Sequence, residues 1–224
     1  MSLSGNLVAD LSRHVEDIGG IRVLFVMATE QEYGDHLGRL IQPLITGVGP
    51  VEAAAETAMT LAALEHAGRR PDLLVSLGSA GSRVLEHAGV YQISHISYRD
   101  MDATGLGFAP GVTPFLDEPA VFEVRHRLPE VPAASIATGA SIVSGSGYDG
   151  INADMVDMES FAVLRAARRF DVPMIGLRGI SDGRSDLTGL HDWTEYLHVI
   201  DEKLAGVLED FAGHVVAGRF SLVV

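Results

Sequence analysis

Polar side chains with catalytic potential follow three apolar runs of this sequence, at the points where each run ends. The runs are 21–28, 72–77 and 172–180, and the residues that follow them include Glu32, Ser79 and Asp182. If the runs are parallel strands, their carboxyl ends meet at one sheet edge, where open α/β sheets bind ligands. Two carboxylates and a hydroxyl gathered there suit acid–base chemistry. Taken singly, each residue is more typical of an ordinary turn.

Glu159 lies in a segment, 155–170, whose pattern predicts one helix. Its neighbours at three- and four-residue spacing are all apolar: Met155, Val156, Ala162 and Val163. Glu159 is therefore expected to face the core or a cavity, where a carboxylate is costly unless it is paired or binds a ligand. Arg178, inside an apolar run, is the obvious partner, so an ion pair and a ligand-binding role both remain open.

Other catalytic templates do not fit the sequence. The segment 47–52 begins like a dinucleotide-binding fingerprint, but Glu52 occupies the position of its third glycine. A Walker A lysine is absent, and the segment 78–81 (GSAG) lacks the G-x-S-x-G spacing of a nucleophile elbow. The nine histidines lack metal-ligand spacing, and the chain has no cysteine. The sequence predicts neither a metal site nor a cofactor site.

Alternating strand and helix patterns must position these residues. Strands are predicted at 21–28, 45–48, 72–77, 90–97, 134–138 and 172–180, and helices at 51–66, 155–170, 194–216 and within the first eighteen residues. A long Gly- and Pro-containing loop spans 99–120. The alternation predicts a three-layer α/β/α domain with a mixed, mostly parallel central sheet. Residues 1–224 are expected to form this single domain, with 1–20 as an N-terminal extension.

Composition limits the possible partners. The chain has 224 residues, 47% hydrophobic and 21% charged, typical of a soluble globular domain. A net charge of −14 disfavours binding to phosphate backbones and anionic lipid. We find no apolar stretch of membrane-spanning length and no signal-peptide pattern. These features predict a cytoplasmic protein without nucleic-acid or membrane partners.

Five segments in order resemble the nucleoside phosphorylase/nucleosidase superfamily, most closely its methylthioadenosine/S-adenosylhomocysteine nucleosidases. The segments are 23–33 (VLFVMATEQEY), 46–56 (TGVGPVEAAAE), 77–81 (LGSAG), 155–162 (MVDMESFA) and 177–183 (LRGISDG). The resemblance implies a nucleoside phosphorylase-like fold. It also implies hydrolysis of the N-glycosidic bond of 5'-methylthioadenosine and/or S-adenosylhomocysteine, with release of adenine and without a cofactor.

The resemblance assigns roles to individual residues. Asp182 would be the general acid at purine N7, and Glu32 would bind and activate the attacking water. Glu159 would hydrogen-bond the ribose hydroxyls, with Met158 against the sugar. Ser79 would support the Asp182 end of the site.

The same resemblance implies further binding residues and a homodimer. The backbone of Ile142 and Val143 would bind the adenine edge, Arg178 would brace the carboxylates, and Trp193 would pack over the nucleoside. Gly81 of the LGSAG segment belongs to this binding set. The loop at about 101–115 would reach into the neighbouring subunit's site, with Phe108 and Pro114 as its contributions.

Departures from the family pattern keep alternatives open. The chain is short between residues 33 and 45, Thr29 replaces a usual methionine near the ribose, and Asp157 replaces a glutamate.

A purine nucleoside phosphorylase would carry a phosphate-binding arginine at the position of Ser76, so water is favoured as the nucleophile. Another adenine-releasing nucleosidase, acting on aminodeoxyfutalosine, is not distinguished. A non-catalytic storage-type relative would be expected to lose part of the carboxylate set.

Overall fold

The apolar runs form the strands of one mixed sheet in the computed structural model, which describes residues 10–222. Over that range the strands are β1 (Val15–Ile18), β2 (Ile21–Met27), β3 (Leu44–Ile45), β4 (Leu73–Gly81), β5 (Val90–Tyr98), β6 (Val121–Glu123), β7 (Ala133–Thr138), β8 (Met155–Asp157) and β9 (Met174–Asp182). The α-helices with fully described bounds are α1 (Pro50–His66), α2 (Ser160–Arg169), α3 (Leu190–Thr194) and α4 (Leu197–Val216).

Strand β4 lies between β2 and β9 and is parallel to both. Strand β9 then pairs antiparallel with β5, and β5, β7 and β8 continue in parallel pairs. Strands β1 and β6 add antiparallel to β2 and β5. The predicted mixed, mostly parallel sheet is confirmed, and its topology places the carboxyl ends of β2, β4 and β9 side by side.

Helices cover both faces of this sheet. Alternate residues of a strand point to opposite faces, so one strand contributes to the core on both sides. Leu24 and Val26 of β2 join a core cluster with residues of α1 and α2. Val23, Phe25 and Met27 join a second cluster with residues of α4. The predicted three-layer α/β/α architecture is therefore confirmed. The assignment of residues 1–224 to a single domain, with an extension over 1–20, stays a prediction.

The predicted helix over 155–170 is wrong in its first part. Residues 155–157 form β8, which pairs with β7, and the helix begins only at Ser160. The Asp157 carboxylate accepts hydrogen bonds from the backbone N–H and the hydroxyl of Ser160, at 2.9 and 2.6 Å, and so satisfies a donor of the first helical turn. Glu159 is the N-cap residue, at a strand-to-helix junction rather than on a helical face.

Other boundaries also differ from the predictions. Strand β4 runs on through the LGSAG segment. The C-terminal helix α4 begins at Leu197, three residues later than predicted, and the short helix α3 before it was not predicted. Residues 15–18, expected to be helical, form β1, while residues 1–9 lie outside the described range. Strand β6 was not predicted. Among residues 10–222, no helix combines the length and apolarity needed to cross a bilayer.

The short connection between β2 and β3 is fixed by a buried carboxylate. Asp201 of α4 is 3% exposed and accepts backbone N–H bonds from Gly34, His36 and Leu37, at 3.0, 2.9 and 3.1 Å. Three N–H groups without a regular secondary-structure partner are thereby satisfied. The shortened 33–45 segment, a departure from the family pattern, is held firmly beside the strand end that carries Glu32.

Candidate active site

A cavity of about 300 Å³ opens at the adjacent carboxyl ends of β2, β4 and β9. This volume suits a small organic ligand. It is lined by nine of the residues predicted for the site: Glu32, Ser79, Gly81, Ile142, Val143, Met158, Glu159, Asp182 and Trp193. The expectation that polar residues after separate strands meet at one sheet edge is therefore correct for this geometry.

Glu32 is buried and firmly held by Ser79. Its Oε1 accepts hydrogen bonds from the Ser79 backbone N–H at 2.7 Å and from the Ser79 hydroxyl at 2.6 Å. Burial raises the pKa of Glu32, while the two Ser79 bonds and the Arg178 charge oppose that rise. The predicted support of the Asp182 end by Ser79 is wrong, because the side chain of Ser79 turns toward the end of β2 instead.

Asp182 is the last residue of β9, and its Oδ2 accepts a hydrogen bond from the Ser181 hydroxyl at 2.7 Å. Burial raises the pKa of Asp182, and the Ser181 bond and the nearby His87 oppose the rise. A Cβ on Gly81 would lie 2.8 Å from Asp182 Oδ1, so a larger residue here would displace this carboxylate. A carboxyl group with a raised pKa is suited to donate a proton.

Glu159 reaches across to the start of α1. Its Oε1 accepts the backbone N–H of Gly49 at 2.7 Å, and Gly49 has a left-handed φ of 97°. Burial, reinforced by the negative charge of Asp157, raises the pKa of Glu159 to about 7, against the opposing effects of Gly49 and Arg178. A carboxylate poised near neutral pH is typical of a functional site.

Arg178 lies beneath the cavity and is paired with Asp157, not with Glu159. Its Nη2 and Nε lie 3.1 and 3.3 Å from Asp157 Oδ2, and both side chains are buried. The remaining donors of Arg178 go to the Ser76 carbonyl and hydroxyl, the Leu177 carbonyl and the Ser160 hydroxyl. Of the two alternatives that the sequence left open for Glu159, the ion pair with Arg178 is therefore not formed, and Glu159 is left available to a ligand.

Trp193, on α3, covers part of the cavity and donates its indole N–H to the Ser79 hydroxyl oxygen at 2.9 Å. Ile142 and Val143 line the cavity in the loop after β7, and Ile142 is largely exposed. Phe108 does not line the cavity of its own chain but packs edge-to-face against Phe115, with ring centroids 5.6 Å apart. Its role across a subunit interface stays a prediction.

Sequence reasoning missed several residues around the cavity. Arg99, Ser141, Leu187 and Leu190 line it as well. Arg99 directly follows β5, so a search for polar residues after the end of that strand would have found it. No comparable signal marks Tyr148, whose buried hydroxyl lies beside Asp182 above Gly81. Within residues 10–222, no cluster of three or more His, Cys, Asp or Glu side chains is placed to hold a metal ion.

The chain belongs to the phosphorylase superfamily, whose family model matches residues 4–212. It is 30% identical over 165 residues to the 5'-methylthioadenosine/S-adenosylhomocysteine nucleosidase of Haemophilus influenzae (strain 86-028NP), covering 65% of this chain and 69% of that relative. The predicted resemblance to the superfamily and to these nucleosidases is thus confirmed.

Two solved structures from Helicobacter pylori share the fold. One is a mutant methylthioadenosine/S-adenosylhomocysteine nucleosidase with 5'-methylthioadenosine in its active site, with a TM-score of 0.73 and 18% identity, covering 87% of this chain and 99% of that one. The other is a futalosine hydrolase mutant, with a TM-score of 0.70 and 17% identity, covering 86% and 98%.

Proposed function

We propose that this protein hydrolyses the N-glycosidic bond of 5'-methylthioadenosine and/or S-adenosylhomocysteine and releases adenine. The observation that carries the proposal is a single cavity whose lining includes three carboxyl groups with a raised pKa, Glu32, Glu159 and Asp182. Membership of the superfamily and similarity to nucleosidases of this specificity support it.

In the proposed reaction, Asp182 protonates N7 of the purine, because adenine leaves readily only when protonated. Cleavage of the glycosidic bond produces an oxocarbenium-like ribosyl centre. Glu32 accepts a proton from a water molecule that attacks this centre from the opposite face. Glu159 accepts hydrogen bonds from the ribose hydroxyls, and its negative charge stabilises the developing positive charge of the sugar.

Apolar and backbone groups would hold the substrate in this orientation. We assign Met158 to the sugar, the Ile142 and Val143 backbone to the adenine edge, and Trp193 to a face of the nucleoside. Gly81 leaves the space beside Asp182 that a larger residue would fill. Thr29, which stands where the family usually has a methionine near the ribose, also lines the cavity.

Water is favoured over phosphate because Arg99 is the only Lys or Arg among the described residues that line the cavity, and only its Nε lacks a hydrogen-bond partner. Ser76 stands where phosphorylases carry an arginine, and its hydroxyl is occupied by Arg178. The terminal nitrogens of Arg99 already donate to the Gly139 carbonyl and to Ser141. Three carboxylates in the same space would repel phosphate.

An assay of adenine release tests this proposal directly. Methylthioadenosine, S-adenosylhomocysteine and aminodeoxyfutalosine are each supplied with and without phosphate, and the sugar products are identified by mass spectrometry. We expect phosphate-independent release of adenine and a free 5-substituted ribose. A sugar 1-phosphate would favour the phosphorylase alternative, and failure to release adenine from any of them would favour a storage-type relative.

We also propose a homodimer in which the loop 99–120 completes the partner's site. The support is its exposed apolar surface: Phe115 is 93% exposed and Leu106 77%. Phe108 and Pro114 are the proposed contributions to the neighbouring site. Light scattering should give twice the 23.8 kDa of the chain, and an active monomer would contradict the proposal. The cytoplasmic location also stays a prediction.

A further inference from the structure

We propose that Trp193 is a positioning residue that acts on Glu32 through Ser79. Its indole N–H donates to the Ser79 hydroxyl oxygen at 2.9 Å, and that hydroxyl donates to Glu32 Oε1 at 2.6 Å. The role rests on the proposed function, since Glu32 is the group that activates water there. Trp193 is the single tryptophan of the chain, so its environment can be observed selectively.

The direction of these hydrogen bonds follows from the donors available. An indole nitrogen can only donate, whereas a serine hydroxyl has one proton and can also accept. Because the indole N–H occupies an acceptor position of Ser79, the hydroxyl proton is directed to Glu32. The Ser79 backbone N–H meets the same oxygen at 2.7 Å. Both donors therefore converge on Oε1.

This arrangement leaves Glu32 Oε2 without a donor among the described residues, and so available to a water molecule. It also favours the ionised form of Glu32, which a base requires, against the cost of burial. Removing the indole N–H frees the Ser79 hydroxyl to rotate away from Glu32. The carboxylate would then be harder to ionise and less firmly oriented.

The other charged groups around Glu32 come from the elements packed on it. Arg178 of β9 and Asp157 of β8 act on it with opposite signs, and Glu159 and Asp182 line the same cavity. None of these groups is altered by a substitution at Trp193. A change in the ionisation of Glu32 in such a variant therefore reports the hydrogen-bond chain.

Trp193 both covers the cavity and supports Glu32, the group that activates water in the proposed reaction. It lies on α3, next to the cavity-lining Leu190, and α3 is held at its start by Asp192. The Asp192 carboxylate accepts the backbone N–H and the hydroxyl of Thr188, at 2.6 and 2.8 Å. The segment that covers the cavity is thus the one that completes the support of Glu32.

The test compares wild-type protein with Trp193→Phe, which keeps an aromatic ring but lacks the N–H donor. The pKa of Glu32 is measured by carbon-13 NMR of the labelled glutamate carboxyls, with Glu32→Gln assigning the signal. We expect its acid dissociation constant to fall about 3- to 10-fold, as for loss of one hydrogen bond. The acidic limb of the kcat/KM profile should move to higher pH accordingly, with KM little changed.

Two further variants separate hydrogen bonding from packing. Trp193→benzothienylalanine, in which sulfur replaces the N–H at nearly unchanged size, should reproduce the effect of Trp193→Phe. In a Ser79→Ala background, Trp193→Phe should cause no further change in Glu32. Tyr91→Phe removes a hydroxyl from a residue that does not line the cavity and serves as the matched control.

The proposal would be overturned if the pKa of Glu32 were unchanged in both Trp193 variants. It would also be overturned if Trp193→Phe changed that pKa as much in the Ser79→Ala background as in the wild type. A rise in KM alone would do the same, because it indicates packing only. The NMR titration needs no turnover. Failure of the wild type to release adenine would therefore contradict the proposed function separately from the role of Trp193.

Discussion

Two neighbouring sets of buried carboxylates differ in their partners. Asp157, which also lines the cavity, is paired with Arg178 and accepts further hydrogen bonds from Thr138 and Ser160. Glu32, Glu159 and Asp182, in contrast, form no ion pair among the described residues and accept bonds only from hydroxyl and backbone groups. Burial with a counterion produces a structural support, whereas burial without one raises the pKa and leaves oxygen atoms for a ligand.

The difference arises from position along β9. Arg178 is an interior residue of this strand and is 2% exposed, so its charge requires a carboxylate within the protein. Asp182 is at the end of the same strand, where the sheet opens into the cavity. A residue that holds the site together thus lies only four positions along the strand from one that we expect to take part in the reaction.

The largest expected effect is on turnover. Asp182→Asn should lower kcat about 10²- to 10⁴-fold, since general acid–base groups typically contribute that much. Melting temperature should not fall, because the substitution removes a buried charge that lacks a counterion. Steady-state kinetics with circular dichroism checks both. A variant that keeps more than about a tenth of wild-type kcat, well above what the low end of that range would leave, would remove Asp182 from the role of acid.

Breaking the structural pair should affect stability instead. Arg178→Met leaves Asp157 buried without its counterion and should cost about 3–5 kcal/mol of unfolding free energy. Arg22→Met is the matched control, because the Arg22–Asp72 pair has a similar 2.7 Å contact but is substantially exposed. Its cost should be about 1 kcal/mol or less in urea unfolding. Equal costs for the two variants would contradict the structural role of the buried pair.

Glu159→Gln tests the ribose contact that the proposed function requires. Loss of a charge-assisted hydrogen bond should lower kcat/KM for methylthioadenosine about 10- to 150-fold. Discrimination against the 2'-deoxy substrate should also weaken, because the charged acceptor that this substrate leaves unpaired is gone. The measurement is kcat/KM of wild type and variant on methylthioadenosine and on its 2'-deoxy form. Unchanged kinetics with a lower melting temperature would indicate that Glu159 is structural.

The smallest expected effect is a pH dependence of stability that follows from the raised pKa of Glu159. Its folded value, about 7, lies above the ordinary 4.5, so the native state binds the proton more tightly than the unfolded state. The stabilising contribution is fully present below pH 4.5 and is lost as pH rises to about 7. Relative to wild type, Glu159→Gln should therefore have a melting temperature that increases across this window. A difference independent of pH would contradict the raised pKa.

Patterns of composition and spacing were sufficient for most of the fold. Runs of β-branched residues and the Ala-rich helix α1 are local signals, and the three-layer alternation follows from them. Strands β6 and β8 have only three residues each, and pairing with distant strands stabilises them. The MVD sequence of β8 therefore could not be distinguished from the start of a helix.

The sequence predicted which residues line the site better than it predicted which of them contact one another. Glu159 was identified from a helical stripe that does not exist, although it does line the cavity. Ser79 was assigned to the Asp182 end, and Arg178 was considered as a partner of Glu159, because spacing along the chain does not determine which strand ends face each other. That information lies in the register, which aligns Ser79 of β4 with Gly179 of β9. The indole donor of Trp193 depends on the orientation of a short helix and had no sequence signal.

The central claim is that the cavity carboxylates direct water to the sugar, and isotope labelling tests it most directly. Methylthioadenosine is turned over in oxygen-18 water containing excess phosphate, and the sugar product is reduced at once with borohydride to prevent exchange at C1. The account predicts one oxygen-18 atom at C1, no sugar phosphate, and loss of this product in Glu32→Gln. A sugar 1-phosphate without the label would contradict it.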